Sequence, residues 1–186
     1  MTRTSAALIT FSHLRWNFVY QRPQHLLSRI AKQRPVYFIE EPEFDASAPA
    51  HWVRSTPEPN VTVLRPHTPI PNAPGFNEAQ FPTLEKLLRD FLEVDEIGEH
   101  VAWFYTPMAL PLLNQLNPLA VIYDCMDELS AFLHAPRELI EREARLFQLA
   151  DVVFTGGPSL YRAKKDKHPN VHCFASSVDT EHFSRG

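Results

Sequence analysis

Carboxylates, histidines and basic side chains follow the apolar runs of this sequence, where they could bind or transfer a polar group. The densest set lies in the segment Tyr123–Glu128, where Asp124, Asp127 and Glu128 place three carboxylates within five positions, directly after an apolar run. Crowded carboxylates repel, which raises the pKa of one of them, and a carboxylate at such a place can accept a proton from a substrate hydroxyl. The segment therefore predicts acid–base chemistry. The alternative interpretation is that Asp127 or Asp124 caps the following turn.

The beginning of the chain is strongly basic. Residues 1–39 contain no Asp or Glu, but they contain Arg3, Arg15, Arg22, Arg29, Lys32 and Arg34. Such a region would attract a phosphate-bearing ligand or an anionic membrane surface, with Trp16, Phe18 and Tyr20 as interfacial aromatic residues. The alternative is a solvated helix face, with the aromatic rings buried in the core.

A glycine pair, Gly156 and Gly157, stands before Pro158 and Ser159, between an apolar run and a helical segment. Backbone N–H groups in such a turn could hold an anion at the helix N-terminus. The spacing differs from that of GxGxxG and of the P-loop, and no glycine follows the first apolar run. We therefore expect neither NAD nor ATP bound in the usual manner.

Hydrolase and metal chemistry receive no support from the sequence. Ser-His-Asp hydrolysis would require a Gly-x-Ser-x-Gly segment, which is not evident, and Cys125 has no evident histidine partner. The nine histidines are scattered without the short paired spacing of common metal sites. We expect no metal site and no permanently bound cofactor.

Composition limits the class of protein further. With 186 residues, of which 44% are hydrophobic and 22% charged, the chain has the size of one globular domain. Its net charge of −4 gives no reason to bind nucleic acid. Cys125 and Cys173 lie in apolar runs and are expected to be buried free thiols in a reducing compartment. The apolar stretch Ala6–Phe11 is too short for a signal peptide or a membrane span, so we expect a cytoplasmic protein.

Strand and helix patterns alternate along the chain. Seven apolar runs predict strands, at Ala6–Phe11, Val36–Ile39, Val61–Leu64, Val101–Tyr105, Ala120–Tyr123, Val152–Phe154 and Val171–Phe174. Helical spacing is found at Pro23–Gln33, Pro82–Val94, Ala109–Gln115, Pro136–Ala150 and Ser159–Lys165. The proline-rich stretches 43–60 and 65–80 are predicted to be long surface loops. The pattern predicts an α/β fold, a Rossmann-like three-layer α/β/α domain with a mostly parallel seven-stranded sheet.

The polar residues that follow the strands are the candidate site. In an open parallel sheet, ligands bind outside the carboxyl ends of the strands. Besides Asp124, Asp127 and Glu128, the candidates at that edge are Ser12, His13, Arg15, Trp16, Glu40, Glu41, His67, Thr106, Thr155, Gly156, Gly157, Ser159, Ser176 and Ser177. Polar strand ends are also ordinary in any α/β domain, so each residue taken singly has a purely structural alternative.

Five segments carry a family resemblance: Phe11–Arg29, Phe38–Pro42, Tyr123–Glu128, Phe154–Tyr161 and Val178–Phe183. In this order they resemble the N-terminal half of a bacterial GT-B glycosyltransferase. The most similar members are the group-1/family-4-like enzymes of cell-wall and capsular polysaccharide assembly, including the teichuronic-acid type. In that family two Rossmann-like domains face each other across a cleft, and the first mainly holds the acceptor.

The resemblance implies a domain organisation. Residues 1–177 would form the acceptor-side domain, residues 178–186 would begin the interdomain linker, and the C-terminal donor-binding domain would be absent. The fragment alone would then be inactive, and its partners would be that donor domain and a glycan or lipid-linked acceptor. The protein would work in the cytoplasm, at the inner face of the plasma membrane if it docks on anionic lipid.

The resemblance also implies roles for residues. The loop from His13 to Arg22, including Tyr20 and Gln21, would lie on the cleft near the acceptor and the donor phosphates. Asp127 would be the acid/base or acceptor-orienting group, with Asp124 as its competitor. The donor substrate would be a nucleotide-diphosphate sugar, and basic side chains and helix dipoles would stabilise the departing diphosphate without a divalent cation.

A different class of function also fits the sequence. The chain could be a non-catalytic Rossmann-like module that binds an anionic ligand or nucleotide. Tight nucleotide binding by this chain alone would favour the module over half of a transferase.

Overall fold

A computed structural model of the chain describes residues 5–128 and 136–175. The strands are β1 (Ala7–Phe11), β2 (Val36–Ile39), β3 (Glu43–Phe44), β4 (His51–Glu58), β5 (Val61–Thr68), β6 (His100–Phe104), β7 (Val121–Cys125), β8 (Val152–Thr155) and β9 (Val171–Cys173). The α-helices are α1 (Arg22–Ile30), α2 (Phe81–Val94), α3 (Arg137–Leu149) and α4 (Pro158–Lys164), and 3-10 helices span Glu78–Gln80 and Pro107–Gln115. No helix of the described part of the chain is long and apolar enough to cross a membrane.

All strands form one sheet in the order β3-β5-β2-β1-β6-β7-β8-β9, with β4 paired to β5. Each described strand pair is parallel except β4 with β5, which is antiparallel. The strand order runs outward from β1 on one side and from β6 on the other. The sheet therefore has its topological switch point between these two central strands.

Two apolar clusters cover the two faces of the sheet. On one face, Leu27 of α1 and Ala31 at its C-terminal end pack against Leu8, Phe38 and Val63 of the strands. On the other face, residues of α2, α3 and the 3-10 helix Pro107–Gln115 pack against the opposite sides of the same strands. Because both faces are covered along β1, β2 and β6, these strands are apolar throughout, which is the pattern the sequence shows.

The predicted Rossmann-like three-layer fold is confirmed, and the sheet contains two strands beyond the seven predicted. The prediction of loops over 43–60 and 65–80 is wrong in part, because β3 and β4 lie in the first stretch and the second half of β5 lies in the second. The strand β4 is exposed along most of its length. It therefore lacks an apolar run, and its Pro57 is tolerated because proline fits a strand at the sheet edge.

The helix predictions are confirmed within a few residues at their ends. The segment around Ala109–Gln115 is a 3-10 helix, with Pro111 inside it. Proline lacks the N–H that an α-helical bond would need there. The expectation of two buried thiols is half right, since Cys125 is buried and Cys173 is exposed. The predicted linker 178–186 and the candidates Ser176 and Ser177 lie outside the described residues.

Candidate functional site at the sheet switch point

The candidate site lies at the carboxyl ends of β1 and β6, where the strand order reverses. Open α/β sheets bind ligands in the crevice at such a point. Ser12 and His13 leave β1, and Tyr105 and Thr106 leave β6. The Thr106 side chain is buried and accepts a hydrogen bond from the N–H of Met108, so it begins the 3-10 helix.

His13 follows β1 and Asp127 follows β7, so both lie at the carboxyl edge of the sheet although more than 100 residues separate them in the sequence. Burial lowers the pKa of His13, and the nearby negative charge of Asp127 raises it by a smaller amount. The imidazole is therefore neutral at pH 7. Its Nδ1 atom is buried and has no hydrogen-bond partner among the described residues, while Asp127 is exposed at the surface. The pair combines a neutral imidazole with an accessible carboxylate.

Asp124 forms a buried ion pair with Arg22. The Nε atom of Arg22 donates to both carboxylate oxygens, at 3.0 and 3.1 Å, and Nη2 lies 3.0 Å from Oδ1. The side chain of Asp124 is 0% exposed and that of Arg22 is 8% exposed. Burial raises the pKa of Asp124, and the bonds and charge of Arg22 oppose that rise. Arg22 also donates to the Phe174 carbonyl oxygen at 2.6 Å, so it connects α1, β7 and the end of β9.

Tyr105 lies beside this ion pair. Burial is the main cause that raises the pKa of its hydroxyl well above the usual value, and the charge of Asp124 adds to it. The hydroxyl has no geometric hydrogen-bond partner among the described residues. It is therefore a buried, neutral hydroxyl near the Arg22–Asp124 pair.

The loop after β1 is held by Glu40, one of the two glutamates that follow β2. Its fully buried carboxylate accepts from the Trp16 N–H at 2.7 Å, from Arg15 at 3.2 Å and from Arg65 at 2.6 Å. Arg15 also donates to the Glu41 carbonyl oxygen at 2.6 Å. A carboxylate after a strand was visible in the sequence, but its choice of donors depends on the neighbouring strands.

Trp16 corrects the prediction of an interfacial or ligand-contacting aromatic ring. The residue is 7% exposed, and its ring packs edge-on against Phe38. It is buried because Glu40 fixes its backbone and α1 covers its ring. Phe18 and Tyr20, at 72% and 53% exposed, remain on the surface. Only these two aromatic side chains of the loop are available to a partner.

Other predicted site residues have well-defined structural contacts. The Tyr20 hydroxyl lies 3.2 Å from the Ser28 hydroxyl, and the Gln21 N–H donates to Gln24 at 3.0 Å in the first turn of α1. Ser159 accepts from Arg162 within α4.

The carboxylates of the segment Tyr123–Glu128 have different surroundings. The Glu128 carboxylate accepts from Lys164 at 2.6 Å, and Lys164 also donates to both oxygens of Glu143 at 2.9 and 3.0 Å. Tyr123 donates to Glu143 at 2.8 Å. Glu128 is thus a half-buried partner of the buried Lys164 of α4, while Asp127 faces solvent.

The glycine pair follows β8 at the same edge. The Gly156 N–H donates to the Cys125 carbonyl oxygen at 3.0 Å, and a Cβ at this position would lie 3.1 Å from the Met126 carbonyl oxygen. Gly156 therefore permits close approach of the two strand ends. Around Gly157 a Cβ would meet no atom within 4 Å, so the backbone there is open.

Glu41 lies in a separate depression of about 380 Å³, together with Arg15 and Gly75. Burial raises the pKa of Glu41 to about 6, against the opposing charge of Arg15. A Cβ on Gly75 would lie only 2.9 Å from Glu41 Oε1. Glycine at position 75 therefore makes room for this carboxyl group.

An apolar pocket of about 360 Å³ borders the ion pair on the α1 face of the sheet. Its lining residues are mainly apolar or aromatic, namely Arg22, His25, Leu26, Trp103, Phe154, Phe174 and Ala175. The buried Trp103 Nε1 atom has no hydrogen-bond partner among the described residues. The sequence carries no local signal for this pocket, because its lining comes from α1, β6, β8 and the end of β9.

The structure thus groups part of the predicted set at one edge: His13 and Thr106 after the central strands, Arg22 with Asp124, and Asp127. Glu41 and Arg15 lie to the β2 side of that group. Trp16 packs against Phe38 and Glu128 pairs with Lys164, so both contact other parts of this chain. The pairing of Arg22 with Asp124 had no signal in the sequence, because 102 residues separate them.

Comparison with known proteins gives a fold likeness at low sequence identity. No protein-family model matches the chain, and no curated protein matches it significantly. Among solved structures, sucrose-phosphate synthase from Thermosynechococcus elongatus matches 95% of this chain and 49% of its own, with a TM-score of 0.66 and 12% identity. A structure described as trehalose-6-phosphate from E. coli bound with UDP-2-fluoro glucose matches 97% of this chain and 51% of its own, with a TM-score of 0.58 and 12% identity.

The chain therefore spans about half the length of these two structural neighbours. Both neighbours have the GT-B architecture of glycosyltransferases. At 12% identity the likeness concerns the backbone fold and not the residues of the site. The chain has the Rossmann-like α/β fold found in GT-B glycosyltransferases.

Proposed function

We propose that this chain is the acceptor-binding half of a nucleotide-sugar-dependent GT-B glycosyltransferase of cell-wall or exopolysaccharide biosynthesis. The observation that carries the proposal is the placement of two side chains at the carboxyl edge of a GT-B-like sheet. Asp127 is exposed after β7, and His13 follows β1, near enough for the charge of Asp127 to act on its imidazole. Sugar transfer requires a group that takes the proton of the acceptor hydroxyl as the new bond forms. An exposed carboxylate beside a neutral imidazole, at the edge where ligands bind, can supply that group.

Asp127 is a better candidate base than Asp124. The Asp124 carboxylate is fully buried, and Arg22 occupies both of its oxygens. A base must lie within hydrogen-bond reach of the hydroxyl that it deprotonates. Asp127 is exposed, and no cation pairs with its carboxylate in the described part of the chain. We assign proton acceptance to Asp127, acceptor orientation to His13, and positioning of the β7 end to the Arg22–Asp124 pair.

The pocket beside Arg22 is the candidate acceptor subsite. Phe154 and Phe174 lie edge to face with ring centroids 5.3 Å apart, and Trp103 lies 5.6 Å from Phe154. Sugar rings and lipid chains both bind well to aromatic surfaces of this kind, because their C–H groups are apolar. The pocket therefore suits the glycan or lipid-linked acceptor.

The donor is a nucleotide-diphosphate sugar held largely by a second, donor-binding domain. The neighbour bound with UDP-2-fluoro glucose is about twice as long as the matched region. In this chain the predicted anion ligands Arg15 and Arg22 already pair with Glu40 and Asp124. Their positive charges are therefore largely neutralised by these carboxylates and attract an added anion only weakly. This favours the acceptor-side role over a stand-alone anion-binding module. The predicted partners and a peripheral position at the inner face of the plasma membrane are part of this proposal.

The test is sugar transfer by the complete enzyme, meaning this chain together with the donor-binding half that the proposal requires. Asp127→Asn keeps the shape of the side chain and removes the base, so we expect kcat to fall about 10²–10⁴-fold. Asp166→Asn, an exposed acidic residue in the turn after α4, is the matched control and should leave kcat unchanged. Undiminished transfer by Asp127→Asn would remove Asp127 from the chemistry.

Calorimetry on the 186-residue chain separates the two classes of function. With UDP-glucose as the probe, we expect weak or undetectable binding, because the donor domain supplies most of the donor contacts. Tight binding by this chain alone would instead support a nucleotide-binding module and contradict the acceptor-side assignment.

A further inference from the structure

Three side chains of metal-binding types lie close together at the edge of the sheet formed by β3, β4 and β5. Asp45, His51 and His67 each place one ligand atom such that all three atoms lie within 4.8 Å of one another, and all three side chains are half-buried. We propose that they bind a zinc ion that joins β3, β4 and β5.

The backbone of the sheet fixes where these residues meet. His67, near the end of β5, lies opposite His51 of β4 on one side and opposite Glu43 of β3 on the other. Directly opposed residues of adjacent strands project on the same face of a sheet. Asp45 is held at the end of β3 because its N–H donates to the Thr68 carbonyl oxygen at 2.9 Å. The ligands are thus positioned by strand pairing before any ion binds.

The distances suit a small tetrahedral ion. Asp45 Oδ2 lies 3.6 Å from His67 Nδ1. Ligand atoms around a tetrahedral zinc are about 3.3 Å apart, because each bond is about 2.0 Å long. The rings of His51 and His67 have centroids 5.4 Å apart and are tilted by 44°, so they do not stack flat on each other. Small side-chain rotations would complete the coordination.

Two of the three ligands, His51 and Asp45, also have the outer hydrogen bond that orients a metal-binding side chain, and the third, His67, faces a carboxylate. His51 Nδ1 lies 2.9 Å from the Pro49 carbonyl oxygen and must donate to it, which leaves a lone pair on Nε2. Asp45 Oδ1 accepts from the Ser47 N–H at 2.8 Å and from the Ser47 hydroxyl at 2.5 Å, so Oδ2 is left for the ion. His67 Nε2 faces Glu43 Oε2 at 4.0 Å. Partners of these kinds fix the tautomer and direction of zinc ligands.

The ligand chemistry selects the ion. Two imidazoles and one carboxylate are a ligand set that zinc binds, and they disfavour magnesium and calcium, which prefer an all-oxygen set. The three protein ligands leave a fourth position for water. The site is separated from the switch point by β2, so it is distinct from the chemistry proposed for His13 and Asp127.

The effect of zinc would be to stabilise the sheet edge. Within the described residues, β4 pairs only with β5, and its register is irregular between Ser55 and Glu58. β3 contains two residues. An ion held by one ligand from each of β4 and β5 and one from the end of β3 would tie these weak edge elements together. The proposed site differs from the expectation of no metal site, which rested on the spacing of histidines along the chain.

The first experiment measures zinc binding by the 186-residue chain after its metal has been removed with EDTA and the chelator has been dialysed away. Titration of zinc in competition with a chromophoric chelator should give one equivalent bound. His51→Gln and His67→Gln should each weaken binding by well over 10-fold, since even the loss of an outer partner costs about 10–100-fold. His172→Gln, an exposed histidine on β9, is the matched control and should bind zinc as the original chain does.

A second experiment locates the effect. Hydrogen exchange of residues 43–58 should slow when zinc is added, and this slowing should be absent in His51→Gln. Asp45→Asn gives the same comparison if a histidine variant fails to fold, as judged by circular dichroism. The proposal is overturned if the original chain binds no zinc, or if the ligand variants bind it as tightly as His172→Gln, which would mean adventitious binding.

Discussion

Replacing Arg22 by methionine tests the buried ion pair beneath the candidate site. The substitution keeps the apolar part of the side chain and leaves the Asp124 carboxylate, 0% exposed, without its cation. Removing one partner of a buried ion pair costs about 3–5 kcal/mol, because the remaining charge is buried and uncompensated. For a domain of this size, with about 2–4 °C of Tm per kcal/mol, the expected fall in Tm is about 6–20 °C.

The stability loss should depend on pH, and its sign follows from the pKa of Asp124. Burial already raises this pKa above the ordinary 3.8, and Arg22 opposes the rise. Without Arg22 the pKa rises further, so the folded protein pays for ionising Asp124 at neutral pH but not when the group is protonated. The stability difference between Arg22→Met and the original chain should therefore be largest near pH 7 and shrink as the pH falls toward 4. Urea unfolding at several pH values measures it.

Two further variants separate this mechanism from a general loss of packing. Asp124→Asn added to Arg22→Met removes the uncompensated charge and should recover much of the lost stability. Arg15→Met is the matched control, because its partner Glu40 keeps Arg65 at 2.6 Å and the Trp16 N–H at 2.7 Å. The reasoning is refuted if Arg15→Met costs as much as Arg22→Met, or if the loss caused by Arg22→Met does not change with pH.

Two other predictions concern the surroundings of the site. Gly75→Ala should lower the free energy of unfolding, measured with urea, by about 1–3 kcal/mol, because φ is +62° and the new Cβ would meet Glu41. Gly98→Ala is the control and should change it little, because the added Cβ has open space. If Glu41 is pushed outward, an NMR titration should show its pKa falling from about 6 toward 4.5, and an unchanged pKa would contradict the crowding argument. Lys164→Met should lower the free energy of unfolding by about 3–5 kcal/mol, because Glu143 then keeps no cation in the described structure. The exposed Lys165→Met is the control and should lower it by under about 1 kcal/mol. Equal losses in the two variants would contradict the buried network.

The parallel core of the sheet was predictable from the sequence, because strands covered on both faces must be apolar throughout. Ile9, Phe38 and Phe104 are all fully buried members of such runs. The edge strand β4 was not predictable in this way, because most of its side chains face solvent and its pairing depends on β5. Local sequence therefore reports burial well and reports pairing at an exposed edge poorly.

The site was predictable only as a set of strand ends. A parallel sheet brings the residues after its strands to one edge, so the selection of His13, Asp124 and Asp127 followed from chain order alone. Which of them pair is decided by side-chain reach across the edge, as with Arg22 and Asp124. Trp16 shows the same limit, since its burial depends on a bond between its backbone and Glu40.

The charges of the carboxyl edge show why Asp127 and His13 are the pair to test first. Buried carboxylates near this edge are matched by internal cations, Asp124 by Arg22 and Glu40 by Arg15 and Arg65. A matched charge stabilises the fold and has little left to offer a substrate, because its hydrogen-bonding positions are filled. Asp127 lacks such a cation within the described residues, and the nearby His13 is kept neutral by burial. Reactivity at this edge should therefore depend on these two side chains, while the matched pairs hold the strand ends that carry them.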